Sequence, residues 1–210
     1  LSLDIRNNHI DNEGLIAIAA ILPGSNLQSI NVSHNRIDSE GIRKFASVLA
    51  RSDLLSLNVS HNRIDDDGIH AIAAILPESK LQSLNIYGTD INLGGIRVIA
   101  AALAGSNLQS LNIGCANLDL EGACIIAAAL PASNLQSIDI SYTGTGDEGW
   151  RIFAAALAAS KLQTLIVHCN FIEVAGARVI AAALPRSNLQ TLDVSRNDIG
   201  DGGMCAIAAA

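Results

Sequence analysis

A stretch beginning LQSINVSHNRID at Leu27 starts again at Leu54, Leu81, Leu108, Leu135, Leu162 and Leu189, each time 27 residues on, with no insertion or deletion. A fixed period between about 20 and 50 residues marks an array of repeated supersecondary units. Counting from each of these leucines, apolar residues recur at positions 1, 4, 6 and 11, as in Leu27, Ile30, Val32 and Ile37, with Asn35 at position 9. The gap of two between positions 4 and 6 turns both side chains to one side of an extended strand, and positions 3, 5 and 7 to the other. Beyond position 12 the period lengthens: Ile42, Phe45, Ala46, Val48 and Leu49 have the spacing of a helix with one buried stripe. A strand, a helix and then a strand running the same way require a parallel sheet, and equal units at equal offsets wind into a solenoid.

The strand motif LxxLxLxxNxI, followed by xxEG and an Ala- and Leu-rich helix, resembles the ribonuclease-inhibitor-like class of leucine-rich repeats. That class is also seen in the sensor regions of NOD-like receptors, in Ran GTPase-activating proteins and in effectors of intracellular bacteria. The resemblance spans the whole chain and implies an α/β horseshoe arc of eight 27-residue units, with the parallel sheet on the concave side and helices on the convex side. Members of the class share a scaffold and bind unrelated targets, so the resemblance carries fold further than function. It is consistent with a cytoplasmic protein, in the host cytosol if the chain is a bacterial effector.

The first unit opens inside its strand, since Leu3, Ile5, Asn8 and Ile10 match positions 4, 6, 9 and 11, and the last stops within the apolar run ending at Ala210. Solenoids normally end in atypical capping units. Residues 1–210 therefore read as a single domain and a fragment lacking one or both caps. The net charge of −7 argues against a nucleic-acid platform, which needs a basic stripe to meet phosphates. No apolar run reaches the length of a membrane span, so neither nucleic acid nor membrane is an expected partner.

Three columns are uniform down the array. Position 15 is glycine from Gly14 to Gly203, which points to a backbone geometry or a close approach that a Cβ would block. Position 20 is alanine from Ala19 to Ala208, small enough to let helix and sheet approach. Position 26 is serine from Ser25 to Ser187, placed to satisfy backbone groups in the loop before the next strand. Position 24 alternates between Pro23, Pro77, Pro131 and Pro185 and Ala50, Ala104 and Ala158. At position 16 the lone Trp150 has Ala123 and Ala177 as neighbours above and below, and the indole is expected to fill the space they leave.

Chemistry-bearing clusters are sparse. His34 and His61 share position 8 in adjacent units, about 4.8 Å apart on the strand spacing, but no third metal ligand accompanies them, and stable sites usually need three or four. No GxxxxGK[ST] phosphate loop is present. Neither a cofactor nor a catalytic centre is expected. The four cysteines never share a register in adjacent units; Cys115 and Cys169 lie two units apart, about 10 Å, so four free thiols and a reducing compartment are expected. A GTPase-activating role, with an exposed arginine such as Arg36, Arg63, Arg97, Arg151 or Arg178 as charge stabiliser, rests on fold analogy alone. A structural spacer predicts uniform surface columns.

Units 2 and 3 are indeed uniform, both carrying VSHNRID, but units 4 to 7 diverge. Position 7 becomes Tyr87, Gly114, Ser141 and His168; position 8 becomes Gly88, Cys115, Tyr142 and Cys169; position 10 becomes Asp90, Asn117, Gly144 and Phe171. Drift in a duplicated array would also diversify these columns. Yet aromatics rimmed by small polar residues have the character of a protein-binding hot spot. The expected partner is a protein, held by Tyr87, Asp90, Cys115, Asn117, Tyr142, Ile166, His168 and Phe171 on the concave face and adjacent loops of units 4 to 7, with Tyr87, Tyr142 and Phe171 as anchors. Position 9 loses its Asn to Thr89, Ala116 and Thr143, and a local irregularity is expected from Cys115 to Asn117.

Overall fold

The computed structural model describes residues 1–116 and 118–210. Asn117, one of the expected partner-binding residues, lies outside the described residues. Eight short strands alternate with eight helices, here numbered in chain order. The strands are β1 (Ser2–Asp4), β2 (Ser29–Asn31), β3 (Ser56–Asn58), β4 (Ser83–Asn85), β5 (Ser110–Asn112), β6 (Ser137–Asp139), β7 (Thr164–Ile166) and β8 (Thr191–Asp193). The helices are α1 (Asn12–Ile21), α2 (Ser39–Leu49), α3 (Asp66–Ile75), α4 (Leu93–Leu103), α5 (Asp119–Ala129), α6 (Gly146–Leu157), α7 (Val174–Ala183) and α8 (Gly200–Ala208). The strands form one parallel sheet in sequence order, and every pairing joins residues 27 apart, such as Leu57 with Leu84.

The core lies between sheet and helices. In the six inner strands the middle residue is buried and its neighbours half-buried, as the period-two reading requires. Behind them sit the helix stripes, for example Ile42, Phe45, Ala46 and Leu49 of α2. The position-20 alanines from Ala19 to Ala181 are all buried. Trp150 is 1% exposed, flanked by buried Ala123 and Ala177, with its ring 5.3 Å from that of Phe153.

The uniform column of glycines is explained by close approach. At Gly68 an added Cβ would lie 2.6 Å from Ile64 Cγ2, 2.8 Å from Ser39 Oγ and 3.2 Å from the Ser39 backbone, while φ is not in the left-handed region. Each position-26 serine accepts from the N–H two residues on and donates to the carbonyl three residues back, as Ser52 does with Leu54 and Leu49. The Pro/Ala alternation has a structural counterpart: units with Pro23, Pro77, Pro131 and Pro185 follow their helix with a 3-10 turn, whereas α2, α4 and α6 end directly at Ala50, Ala104 and Ala158.

Candidate functional site

After each strand the chain must turn out of the sheet toward the helix layer, and it does so through a left-handed residue at position 8. Asn7, His34, His61, Gly88, Cys115, Tyr142, Cys169 and Arg196 all have φ between +52° and +62°. For a non-glycine residue this conformation costs about 1 kcal/mol or more, so the following asparagine must hold the turn firmly. Asn62 Nδ2 donates to the carbonyls of Val32, Val59 and Ser60, while its Oδ1 accepts from the Ile37 N–H of the preceding unit at 3.0 Å. Asn35, Asn170 and Asn197 likewise join their own turn to the preceding one. Side chains thus form a ladder down the turns.

The ladder is interrupted at Thr89, Ala116 and Thr143. Thr89 and Thr143 keep only a hydroxyl bond to a carbonyl of their own unit, from Ile86 and Ile140, although Thr143 also meets Asn170 of the next. Ala116 offers no side-chain bond; Asn117, within the stretch where an irregularity was expected, lies outside the described residues, and just beyond it the Leu118 N–H bonds to Ala116 O and Asp119 is left-handed at φ +38°. The Asp119 carboxylate nevertheless accepts from the Glu121 and Gly122 N–H groups, keeping the helix start capped.

These smaller residues leave room. A cavity of about 520 Å³ opens over the turns of units 5 to 8, lined by Cys115, Ala116, Tyr142, Thr143, Gly144, Cys169, Phe171 and Arg196. Its floor is small (Ala116, Thr143, Gly144) and its walls carry chemistry. Tyr142 is 41% exposed, meets the His168 ring edge-on at 4.5 Å, and its hydroxyl accepts from the Arg196 guanidinium at 3.3 Å. Phe171 is 75% exposed and left-handed at φ +55°. The Phe171 ring therefore contributes little to the core and is held in an unfavourable backbone conformation.

Of the residues expected from sequence, Cys115, Tyr142 and Phe171 line this groove, and His168 supports it by buttressing Tyr142. Tyr87 does not join the exposed cluster. It is half-buried, its ring lying against His61 at 5.1 Å and close over Gly114, so packing accounts for it, and burial together with the Cys115 thiol pushes its phenol pKa far above the ordinary range. Asp90 is exposed on the turn of unit 4, in a backbone bridge with Asp65. Ile166 is half-buried on β7, between Asp139 and Asp193 in the sheet register. Cys169, noted in the diverging position-8 column, also lines the groove, whereas Arg196, Ala116, Thr143 and Gly144 were not expected as lining residues; each stands at position 8, 9 or 10, and Arg196 belongs to unit 8, outside the diverging units 4 to 7.

All four cysteines are free thiols; Cys115 and Cys205 are exposed, Cys124 and Cys169 half-buried. Among the described residues no group of three or more His, Cys, Asp or Glu side chains is arranged to hold a metal ion, and no helix is long and apolar enough to cross a membrane. A second cavity, about 500 Å³, lies at the opposite ends of the strands among Gln82, Gln109, Gln136, Lys80 and Lys161. Its lining is polar and repeats from unit to unit.

The family profile described as "Leucine Rich repeat" matches residues 1–19, 25–46, 52–73 and 187–208. These stretches fall in units 1, 2, 3 and 8, so the diverged units 4 to 7 lie between matches. No curated protein matches the chain. Among solved structures the chain is similar to one titled "Leiomodin-1 Actin-Binding Site 2 (ABS2)", at 20% identity and a TM-score of 0.43, over 70% of this chain and 72% of that one.

Proposed function

We propose that this leucine-rich-repeat solenoid is a non-catalytic scaffold that captures a protein partner through the groove over the turns of units 5 to 8. The observation that carries the reading is Phe171, exposed and left-handed, which lines the same cavity as Tyr142 and Arg196. Aromatic and arginine side chains around a pocket are the residue types that dominate binding energy. The partner would insert an apolar side chain onto Ala116, Thr143 and Gly144 and set a hydrogen-bonding group against Arg196 and Tyr142. The full helix in each 27-residue unit fits the ribonuclease-inhibitor-like subclass, and the free thiols fit a reducing compartment such as the cytosol.

A GTPase-activating role rests on fold analogy alone: of the arginines considered for it, Arg97 pairs with Glu121 and Arg151 with Glu148 on the helix side, while Arg36, Arg63 and Arg178 are exposed and form no ion pair among the described residues. The reading is tested by affinity capture from native lysate with the parent and with Tyr142→Ala, Phe171→Ala and Arg196→Ala variants. Each truncation of an anchor should cost about 2 kcal/mol, roughly a 30-fold loss of affinity. A partner held equally by parent and variants would place the binding surface elsewhere.

A further inference from the structure

Positions 3, 5 and 7 of each strand face away from the helices, and in units 2 to 8 the only carboxylates among them are Asp139 on β6 and Asp193 on β8, with no lysine or arginine. Position 5 has a fixed structural task. Asn31, Asn58, Asn85 and Asn112 each accept, through Oδ1, the N–H two residues on. Asp139 and Asp193 accept the same bond from Ser141 and Ser195, so the turn needs the side-chain oxygen and not the charge. The other aspartate in this column, Asp4, has a counter-cation in Arg6 at 3.4 Å. Asp139 and Asp193 are half-buried and form no ion pair among the described residues.

Between the two in the sheet register stands half-buried Ile166, the one side chain of the column without a polar atom. One strand spacing on either side, about 4.8 Å, sets the two aspartates about 10 Å apart across an apolar step. The remaining donors to them are neutral: Asn112 Nδ2 and the Ser141 hydroxyl to Asp139, and the Ser195 hydroxyl to Asp193, whose carboxyl the Ser195 bonds hold below the ordinary aspartate range. A carboxylate offers about four lone-pair sites, so both keep capacity for a charged donor. The turns that follow β6, β7 and β8 add Glu173 and Asp198 against one cation, Arg196, which donates to the Tyr142 hydroxyl. Four carboxylates thus face one guanidinium around this part of the sheet. His168, two residues beyond Ile166, turns its ring to Tyr142 at 4.5 Å, so the face adjoins the groove.

We propose that the open sheet face of units 6 to 8 docks a basic segment of the protein partner, with Asp139 and Asp193 pairing two of its arginine side chains and Ile166 receiving their stems. The proposal rests on the groove reading, because it concerns the same partner, and it gives that partner a cationic surface. Arginine suits both elements of the face: its planar fork meets a carboxylate at two oxygens, and its methylene stem covers apolar surface while the head stays at the water boundary. Opposite charge on a chain of net charge −7 also steers such a segment toward it. A metal ion does not fit the face, since among the described residues no three ligating side chains converge.

The test titrates the full chain with a capped tetra-arginine peptide at about 0.15 M salt, reading affinity by calorimetry and the Ile166 methyl resonances by NMR. The parent should bind, with the Ile166 signals shifted. The variant D139N/D193N keeps the turn bonds, as the four asparagines of the column do, and should bind about tenfold more weakly, the loss of two partly exposed ion pairs. E13Q/E78Q removes the same charge from exposed, unpaired sites on α1 and on the turn after α3, and should bind as the parent does. Equal binding by D139N/D193N, an equal loss in E13Q/E78Q, or unmoved Ile166 resonances would overturn the proposal. None of these variants alters Tyr142, Phe171 or Arg196, so such a result leaves the groove reading to its own capture assay.

Discussion

Replacing Trp150 by alanine should open the largest hole a single truncation can make in this chain, because the indole is the largest of the fully buried side chains and has only alanines above and below it in the stack. A buried tryptophan removes about 150–250 Å² from water, worth roughly 4–6 kcal/mol at about 25 cal/mol per Å². Part of this is offset, since the indole N–H is buried with no hydrogen-bond partner among the described residues, a penalty of about 1–3 kcal/mol. Measured large-to-small changes of this kind lie near 3–5 kcal/mol. For a chain of this length that lowers the thermal midpoint by about 6–20 °C. Trp150→Phe separates the two contributions: it retains one ring against Phe153 and removes the unpaired N–H, so its cost should stay within about 1 kcal/mol. Because a solenoid unit touches only its neighbours, hydrogen exchange in Trp150→Ala should accelerate most in β5, β6 and β7. Chemical and thermal unfolding of both variants, with exchange mapping, measures this. A midpoint for Trp150→Ala equal to the parent's, or a Trp150→Phe cost as large as that of the alanine variant, would refute the packing argument.

Gly68→Ala should destabilise by about 1–2 kcal/mol, the overpacking cost less the helix propensity gained, while Gly24→Ala, with nothing within 4 Å of the new Cβ, should be neutral or stabilising by up to about 1 kcal/mol; denaturant midpoints compare them. Asn62→Ala strips four hydrogen bonds from a buried turn and should cost at least ~2 kcal/mol, against about 1 kcal/mol for Thr89→Ala, which loses one. Acid should destabilise the chain in two ranges. The lowered pKa of His61 gives stability present above its unfolded value, lost as pH falls below about 6.5, and the lowered pKa values of Asp38 and Asp65 give stability lost as pH falls below about 3.9. Unfolding free energy against pH should therefore show both falls in the parent, and His61→Asn should show only the lower.

The scaffold was legible because every local preference repeats down the array: the strand pair at positions 4 and 6, the eight glycines, the seven serines and the helix stripe all reappear with the assigned roles. The candidate site was legible only in part, since a column position places a residue on the turn without saying which way its side chain leans. Tyr87 and Tyr142 look alike in sequence; one folds over Gly114 against His61, and the other stands open beside Arg196. Nor does periodicity show volume, so the groove made by Ala116, Thr143 and Gly144 was visible only as missing asparagines. The left-handed backbone at Phe171 has no sequence signal, because aromatic residues rarely adopt it.

The claim that a partner occupies the groove of units 5 to 8 is tested most directly by alkylation rates of two exposed thiols, measured by mass spectrometry on the free chain and on the chain saturated with a captured protein. Cys115 lines the groove, and Cys205 on α8 lies outside it and serves as the internal control. The groove reading predicts that the partner slows modification of Cys115 by at least about tenfold, a modest fraction of the occlusion expected at a buried interface core, and leaves Cys205 unchanged. Cys115 reacting equally fast in the saturated complex would contradict it.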